Sequence, residues 1–306
     1  MSIQEDILRL KREKNAVVLA HYYVDGAVQD AADFVGDSYY LSAAARETDK
    51  PVIIFCGVRF MAESAKIMNP EKTVVLPDEL SDCPMARMTE AAEIAEVRAA
   101  RSDLSVVCYI NSTAEIKALS DVCVTSSNAL KIIPRLPSKN IFFIPDQNLA
   151  KYAAAHIPEK NFIFGSGYCH VHTGITPEDV SAAKTAQPDA LVLAHPECTE
   201  GTLALADYIG STSGIINFAE KSEALSFIIC TEAGVLRELK RSCPGKRFFF
   251  VGRRQFCPNM KSITLEKLRD SLDTLSPRIN MEEALRLRAL RPLEAMHALA
   301  KRADSL

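Results

Sequence analysis

The chain has 306 residues, 48% of them hydrophobic, with 36 basic and 39 acidic side chains and a formal net charge of −3. That length suits two or three domains with ample core, and the charge argues against a general nucleic-acid binder, which needs a basic face. No apolar run reaches the ~18 residues of a membrane span, and the opening MSIQEDILRLKREKN reads as a polar amphipathic helix, so a cytoplasmic protein without a membrane partner is expected.

After that helix comes VVLAHYYVDG (17–26), a short apolar strand followed by polar residues. ADFVGDS (32–38), the strand PVIIFCG (51–57), the helical run FMAESAKIM and the strand TVVLPD follow, and the segment closes at Cys83. The same order then recurs twice. SVVCYINSTA (105–114), SDVCVTSS (120–127), NIFFIPD (140–146), NLAKYAAAH and NFIFGSG lead to Cys169. LVLAHPECTE (191–200), ADYIGSTS (206–213), SFIICTE (226–232), GVLRELKRS and RFFFVGR lead to Cys257. Asp33, Asp121 and Asp207 share a column, spaced 88 and then 86 residues, as do His21, Tyr109 and His195. Tyr23, Asn111 and Glu197 lie two positions further on, and the closing cysteines are spaced 86 and 88.

Short Val/Ile/Phe-rich strands alternating with Ala-rich helical runs read as β-α-β-α-β units with parallel strands buried on both faces. The expected fold is therefore three analogous doubly wound α/β domains around a pseudo-threefold axis, over 1–88, 89–175 and 176–262. Residues 263–306 should add two or three helices packing back on the repeats, with Asn280 and Glu283 as a capping-box variant after Pro277.

Ligands of open parallel sheets bind beyond the carboxyl ends of the strands. His21 and Tyr23, Tyr109 and Asn111, and His195 and Glu197 all follow such strands. A pseudo-threefold arrangement brings them and the closing cysteines to one axis. Ser38, Ser126 and the Ser211-Thr212-Ser213 run recur after the second phrase of each unit, where hydroxyls and backbone N–H groups at helix starts suit a carboxylate or phosphate. No Walker motif suggests a nucleoside triphosphate.

The nine cysteines include no CxxC pair, and an odd count in a reducing compartment argues against a disulfide framework. Cys56 and Cys230 share a strand column with Ile144, while Cys108 and Cys123 align with apolar residues, so these read as core. Cys198 and Cys243 have no cysteine partners in the repeat. Only Cys83, Cys169 and Cys257 form a complete column outside strands. Three such thiolates suit zinc, with His170 or His172 as a fourth ligand, or a [4Fe–4S] cluster with one open iron acting as a Lewis acid. His172, three residues beyond Cys169, should lie near the axis. His156 and His297 fall on helical patterns and read as surface or structural.

The phrases DAADFVGDS, DCPMA, YINSTAEIKALSDV, TSSNA, GYCHVHTG, HPEC, ADYIGSTS, TEAG and NMKSITL together resemble quinolinate synthase, an enzyme family of de novo NAD biosynthesis, over nearly the whole chain. The resemblance implies a transferase that condenses iminoaspartate with dihydroxyacetone phosphate to quinolinate, with loss of phosphate and two waters. It implies a [4Fe–4S] cofactor on Cys83, Cys169 and Cys257, with an aspartate-oxidising enzyme as the natural supplier of iminoaspartate. By the same resemblance, His21 and Ser38 bind substrate carboxylate with Ser126 assisting, and Tyr23 is an acid/base. Tyr109 and Asn111 orient the intermediate, and His172 and His195 contact phosphate or hydroxyl groups. Glu197 is the main general base, and Ser211 and Thr212 bind phosphate. This chain departs from the family pattern at Tyr22, where many members have Asn, and at His170, where Pro is frequent. Two rival readings are an iron–sulfur sensor without turnover and a zinc-dependent aldolase of triose phosphates.

Overall fold

The computed structural model describes residues 2–252 and 255–304; Arg253, the last residue of the RFFFVGR phrase, lies outside them. Three parallel four-stranded sheets follow one another along the chain. The first contains β1 (Ala16–His21), β2 (Phe34–Gly36), β3 (Val52–Cys56) and β4 (Thr73–Val75) in the order β2-β1-β3-β4. The second repeats this order with β5 (Leu104–Tyr109), β6 (Val122–Val124), β7 (Asn140–Ile144) and β8 (Asn161–Phe164). The third does so with β9 (Leu191–Ala194), β10 (Tyr208–Ile209), β11 (Ser226–Cys230) and β12 (Arg247–Phe250). The α/β expectation holds, with one addition per unit. The ADFVGDS, SDVCVTSS and ADYIGSTS phrases each contribute an edge strand of only two or three residues, too short to leave a periodic signature.

The aspartate column explains why that edge strand forms. Asp33, Asp121 and Asp207 each accept the backbone N–H of a residue in the central strand, Val18, Val106 and Val192, at 2.8, 2.7 and 2.7 Å. The aspartates' own N–H groups donate to the carbonyls of the same three valines. One side chain thus closes the register just before the edge strand begins, in all three units.

Both faces of the third sheet are covered. Ile215, Val235 and Leu239 pack with Phe227 and Ile229 on one side, while Val180 and Cys198 pack with Val192, Ile228 and Cys230 on the other. The first two units and the tail share one continuous core. The tail has two helices, Leu265–Thr274 and Glu283–Asp304. The first packs on the N-terminal helix Ile3–Glu13, and the second lies against the first and second units. The proposed Asn280–Glu283 box does not start the last helix. That helix begins at Glu283, whose carboxylate pairs with Arg286 at 2.6 and 2.7 Å.

His297, on this helix, is buried. It stacks on Tyr39 and shares a hydrogen bond with Ser42 at 3.0 Å. Among the described residues no helix is long and apolar enough to cross a membrane.

Candidate active site

β1, β5 and β9 end in His21, Tyr109 and, one residue after β9, His195. These ends open on one cavity. It is lined by His21, Tyr23, Ser38, Cys83, Tyr109, Asn111, Ser126, Cys169, His172, His195, Glu197, Thr212 and Cys257, thirteen of the fourteen residues to which the family resemblance gave a role. Ser211 is not in this lining. Its hydroxyl caps the helix Thr212–Lys221 by accepting the Gly214 N–H at 3.1 Å. His170 also lines the cavity, while His156 is exposed at the end of its helix.

A chain of hydrogen bonds and one ion-pair contact crosses the cavity wall. The Tyr23 hydroxyl shares hydrogen bonds with Thr212 Oγ1 at 2.7 Å and Thr231 Oγ1 at 2.8 Å. Thr231 Oγ1 is 2.9 Å from His172 Nε2. His172 Nδ1 lies 2.7 Å from one Glu197 oxygen, and the other accepts the Tyr109 hydroxyl at 2.5 Å. All three units contribute. Gly234 permits this approach, because a Cβ there would sit 2.7 Å from the Tyr22 carbonyl oxygen and 2.8 Å from Tyr23 Cα.

His21 and His195 are held alike. Nδ1 of each accepts a backbone N–H two residues on, from Tyr23 at 3.2 Å and from Glu197 at 3.3 Å. The proton must then sit on Nε2, and His195 Nε2 donates to Ser126 Oγ at 3.2 Å. Burial drives both imidazoles down to about 3, so they are neutral donors rather than cations. For Glu197, burial opposes ionisation, but the charge interaction and hydrogen bond with His172 outweigh it and hold the carboxyl below its ordinary range. Burial, with Glu197 nearby, pushes the Tyr23 and Tyr109 phenols well up, so both keep their protons.

The three partly buried cysteines occupy matching places, each immediately before a short helical turn: Pro84–Arg87, His170–Thr173 and Pro258–Lys261. Backbone N–H groups of each turn, those of Met85 and Ala86, of His172, and of Asn259 and Met260, lie near the sulfur and favour the thiolate. Burial nevertheless dominates and raises all three thiols, Cys83 to about 12. Soft donors with backbone N–H groups close by fit a thiolate-held iron–sulfur group, whose binding would expel the thiol protons. The other six cysteines are free and buried, as the apolar columns of Cys56, Cys108, Cys123 and Cys230 suggested. A second donor set overlaps the first: ligand atoms of Cys169, His172 and Glu197 lie within 4.8 Å of one another.

Sequence reasoning missed Thr231, Asp146 and Glu232. Thr231 is fully buried and sits next to a strand end, with no counterpart among the repeat columns: Gly57 and Pro145 occupy its place. Asp146 and Glu232 share a column whose first member is Val58, so two acids out of three was the available signal.

The sequence profile of the quinolinate synthetase A protein family (NadA) matches residues 5–298. A quinolinate synthase of Clostridium perfringens (strain ATCC 13124) is 47% identical over 299 residues, covering 98% of this chain and 99% of that protein. Quinolinate synthases of Clostridioides difficile (strain 630) and Fusobacterium nucleatum subsp. nucleatum are 47% and 48% identical, covering 96% and 97% of this chain and 97% and 99% of theirs.

Proposed function

Because the chain belongs to the quinolinate synthetase A family and is an enzyme of the quinolinate synthase kind, we propose that it condenses iminoaspartate with dihydroxyacetone phosphate to quinolinate, releasing phosphate and two waters. The observation that carries this reading is one thiol from each unit meeting His21, Tyr109, His195 and Glu197 around a single cavity. Cys83, Cys169 and Cys257 would hold a [4Fe–4S] cluster, which supplies a Lewis-acidic iron able to assist loss of a hydroxyl as water. The other work falls to side chains of the chain itself.

Anionic substrates are favoured at two helix starts. Ser38 and Thr212 are the first residues of ten-residue helices capped by Asp37 and Ser211, where free N–H groups and the helix dipole favour carboxylate and phosphate. Neutral His21 and His195, with Ser126, add hydrogen-bond donors without the cost of a buried charge. Asn111 Oδ1 is buried without a hydrogen-bond partner, leaving an acceptor for a substrate amine or hydroxyl.

Closing the ring requires removal of a proton next to a carbonyl and delivery of one to a departing oxygen. Glu197 is the base in this reading. While His172 and Tyr109 hold it, it is a weak one. A substrate that displaces His172 removes the interaction that lowers it, and burial then raises its basicity toward the useful range. Tyr23, kept protonated, is the acid, with Thr231 and His172 forming the path that returns its proton. Unpaired thiols suit a reducing cytoplasm, with iminoaspartate supplied by an aspartate-oxidising enzyme.

Anaerobic incubation of reconstituted protein with dihydroxyacetone phosphate and an iminoaspartate source tests this, with quinolinate expected; its absence in cluster-loaded protein removes the assignment. The compact Cys169–His172–Glu197 set favours one second reading, a mononuclear zinc site serving an aldolase. Stoichiometric zinc without sulfide in protein purified anaerobically would select it.

A further inference from the structure

We propose that Asp146 and Glu232 are positioning residues, each using one carboxylate oxygen to start a turn and the other to hold the backbone of a cluster cysteine. Asp146 Oδ1 accepts the Leu149 N–H at 2.7 Å and so caps the helix Gln147–His156, while Oδ2 accepts the Cys169 N–H at 3.2 Å. Glu232 Oε2 accepts the Gly234 N–H at 2.6 Å and Oε1 the Cys257 N–H at 3.2 Å. Both residues are fully buried, so water does not readily replace a lost oxygen. The link spans 23 residues in one unit and 25 in the other, and it ties the end of a central strand to the cysteine that follows the next strand.

The first unit breaks the pattern. Val58 occupies the column, and the Cys83 N–H donates instead to its neighbour Asp82 at 2.9 Å. Asp82 is itself paired with the exposed Arg87 at 2.6 Å. Two cysteines are therefore fixed to the buried sheet and the third to the surface. The inference rests on the reading that these three cysteines hold the cluster, and it adds that two buried acids set how firmly the cluster is kept.

Asp146→Asn and Glu232→Gln preserve size but leave one acceptor oxygen for two N–H groups, so the turn or the cysteine must lose its bond. The full chain is assayed for amide exchange at Cys83, Cys169 and Cys257 and, after reconstitution, for anaerobic iron release to a chelator. Cys169 exchange is expected to rise about tenfold or more in Asp146→Asn, and Cys257 exchange likewise in Glu232→Gln, as an N–H bond to a carboxylate warrants. Cys83 should be unchanged in both, and iron release should quicken severalfold. Ser2→Ala, which removes the cap of the N-terminal helix Ile3–Glu13, far in sequence from all three cysteines, should alter neither readout. If Asp146→Asn does not fold, Asp146→Ser keeps a capping oxygen but lacks the second one, and it takes the same place. Either readout staying within about twofold of the parent, or an equal effect of Ser2→Ala, overturns the inference. A parent that takes up no iron and sulfide would instead defeat the cluster reading, while amide exchange would still decide whether the acids hold the cysteines.

Discussion

At the scale of single residues, proton traffic depends on which group holds which proton at rest. Glu197 is ionised, the two tyrosines are protonated and the two column histidines are neutral, each for a reason that can be traced to burial or to one contact. Glu197→Gln keeps the shape and should keep iron and sulfide, yet lower quinolinate formation by about 10²–10⁴-fold; near-normal turnover would remove Glu197 as base. Thr231→Val cuts the link between Tyr23 and His172 without touching the cavity lining. It should lower kcat by about tenfold with KM little changed, as read from steady-state kinetics on cluster-loaded protein. Glu197 was legible in the sequence because it fell in a column of polar residues after strands. Thr231 was not, because its column holds Gly57 and Pro145 and its contact is with Tyr23 of another unit.

Among the elements, the aspartate that joins each central strand to its edge strand is a structural device rather than a chemical one. Asp207→Ala leaves the Val192 N–H without its acceptor and should lower stability by about 1 kcal/mol in urea unfolding, with activity per folded chain retained. The last helix carries a pH dependence through His297. Burial, with Arg46 nearby, lowers its imidazole to about 4, so the folded chain resists a proton that the unfolded chain accepts below about 6.5. Its contribution is intact above that value and is lost as pH falls toward 4, reaching about 2 kcal/mol by pH 5. Stability measured at pH 7.5 and pH 5 should fall by roughly that much more in the parent than in His297→Gln. Helical spacing marked His297 as structural or surface but could not choose, since the choice depends on Tyr39 and Ser42 of the first unit. The capping box at Asn280 had the right spacing, yet Arg286 claims the Glu283 carboxylate first.

The molecule as a whole is three similar sheets that face one cavity with unlike side chains. Repetition made the fold readable: strand order, the aspartate column and the cysteine column recur with almost unchanged spacing. Departures from repetition fall around the cavity, as where Tyr109 stands between two histidines and Val58 replaces an acid. A single unit's sequence says little about such positions, because each acts against residues from the other two. Convergence also explains why six cysteines are core residues and three line the cavity. Anaerobic iron and sulfide analysis of Cys83→Ala, Cys169→Ala, Cys257→Ala and Cys108→Ala, beside the parent, tests that convergence most directly. About four irons and four sulfides per chain are expected in the parent and in Cys108→Ala, with the cluster lost from the other three. Equal retention in all four variants, or loss confined to one unit's cysteine, would contradict a cluster shared by the three units.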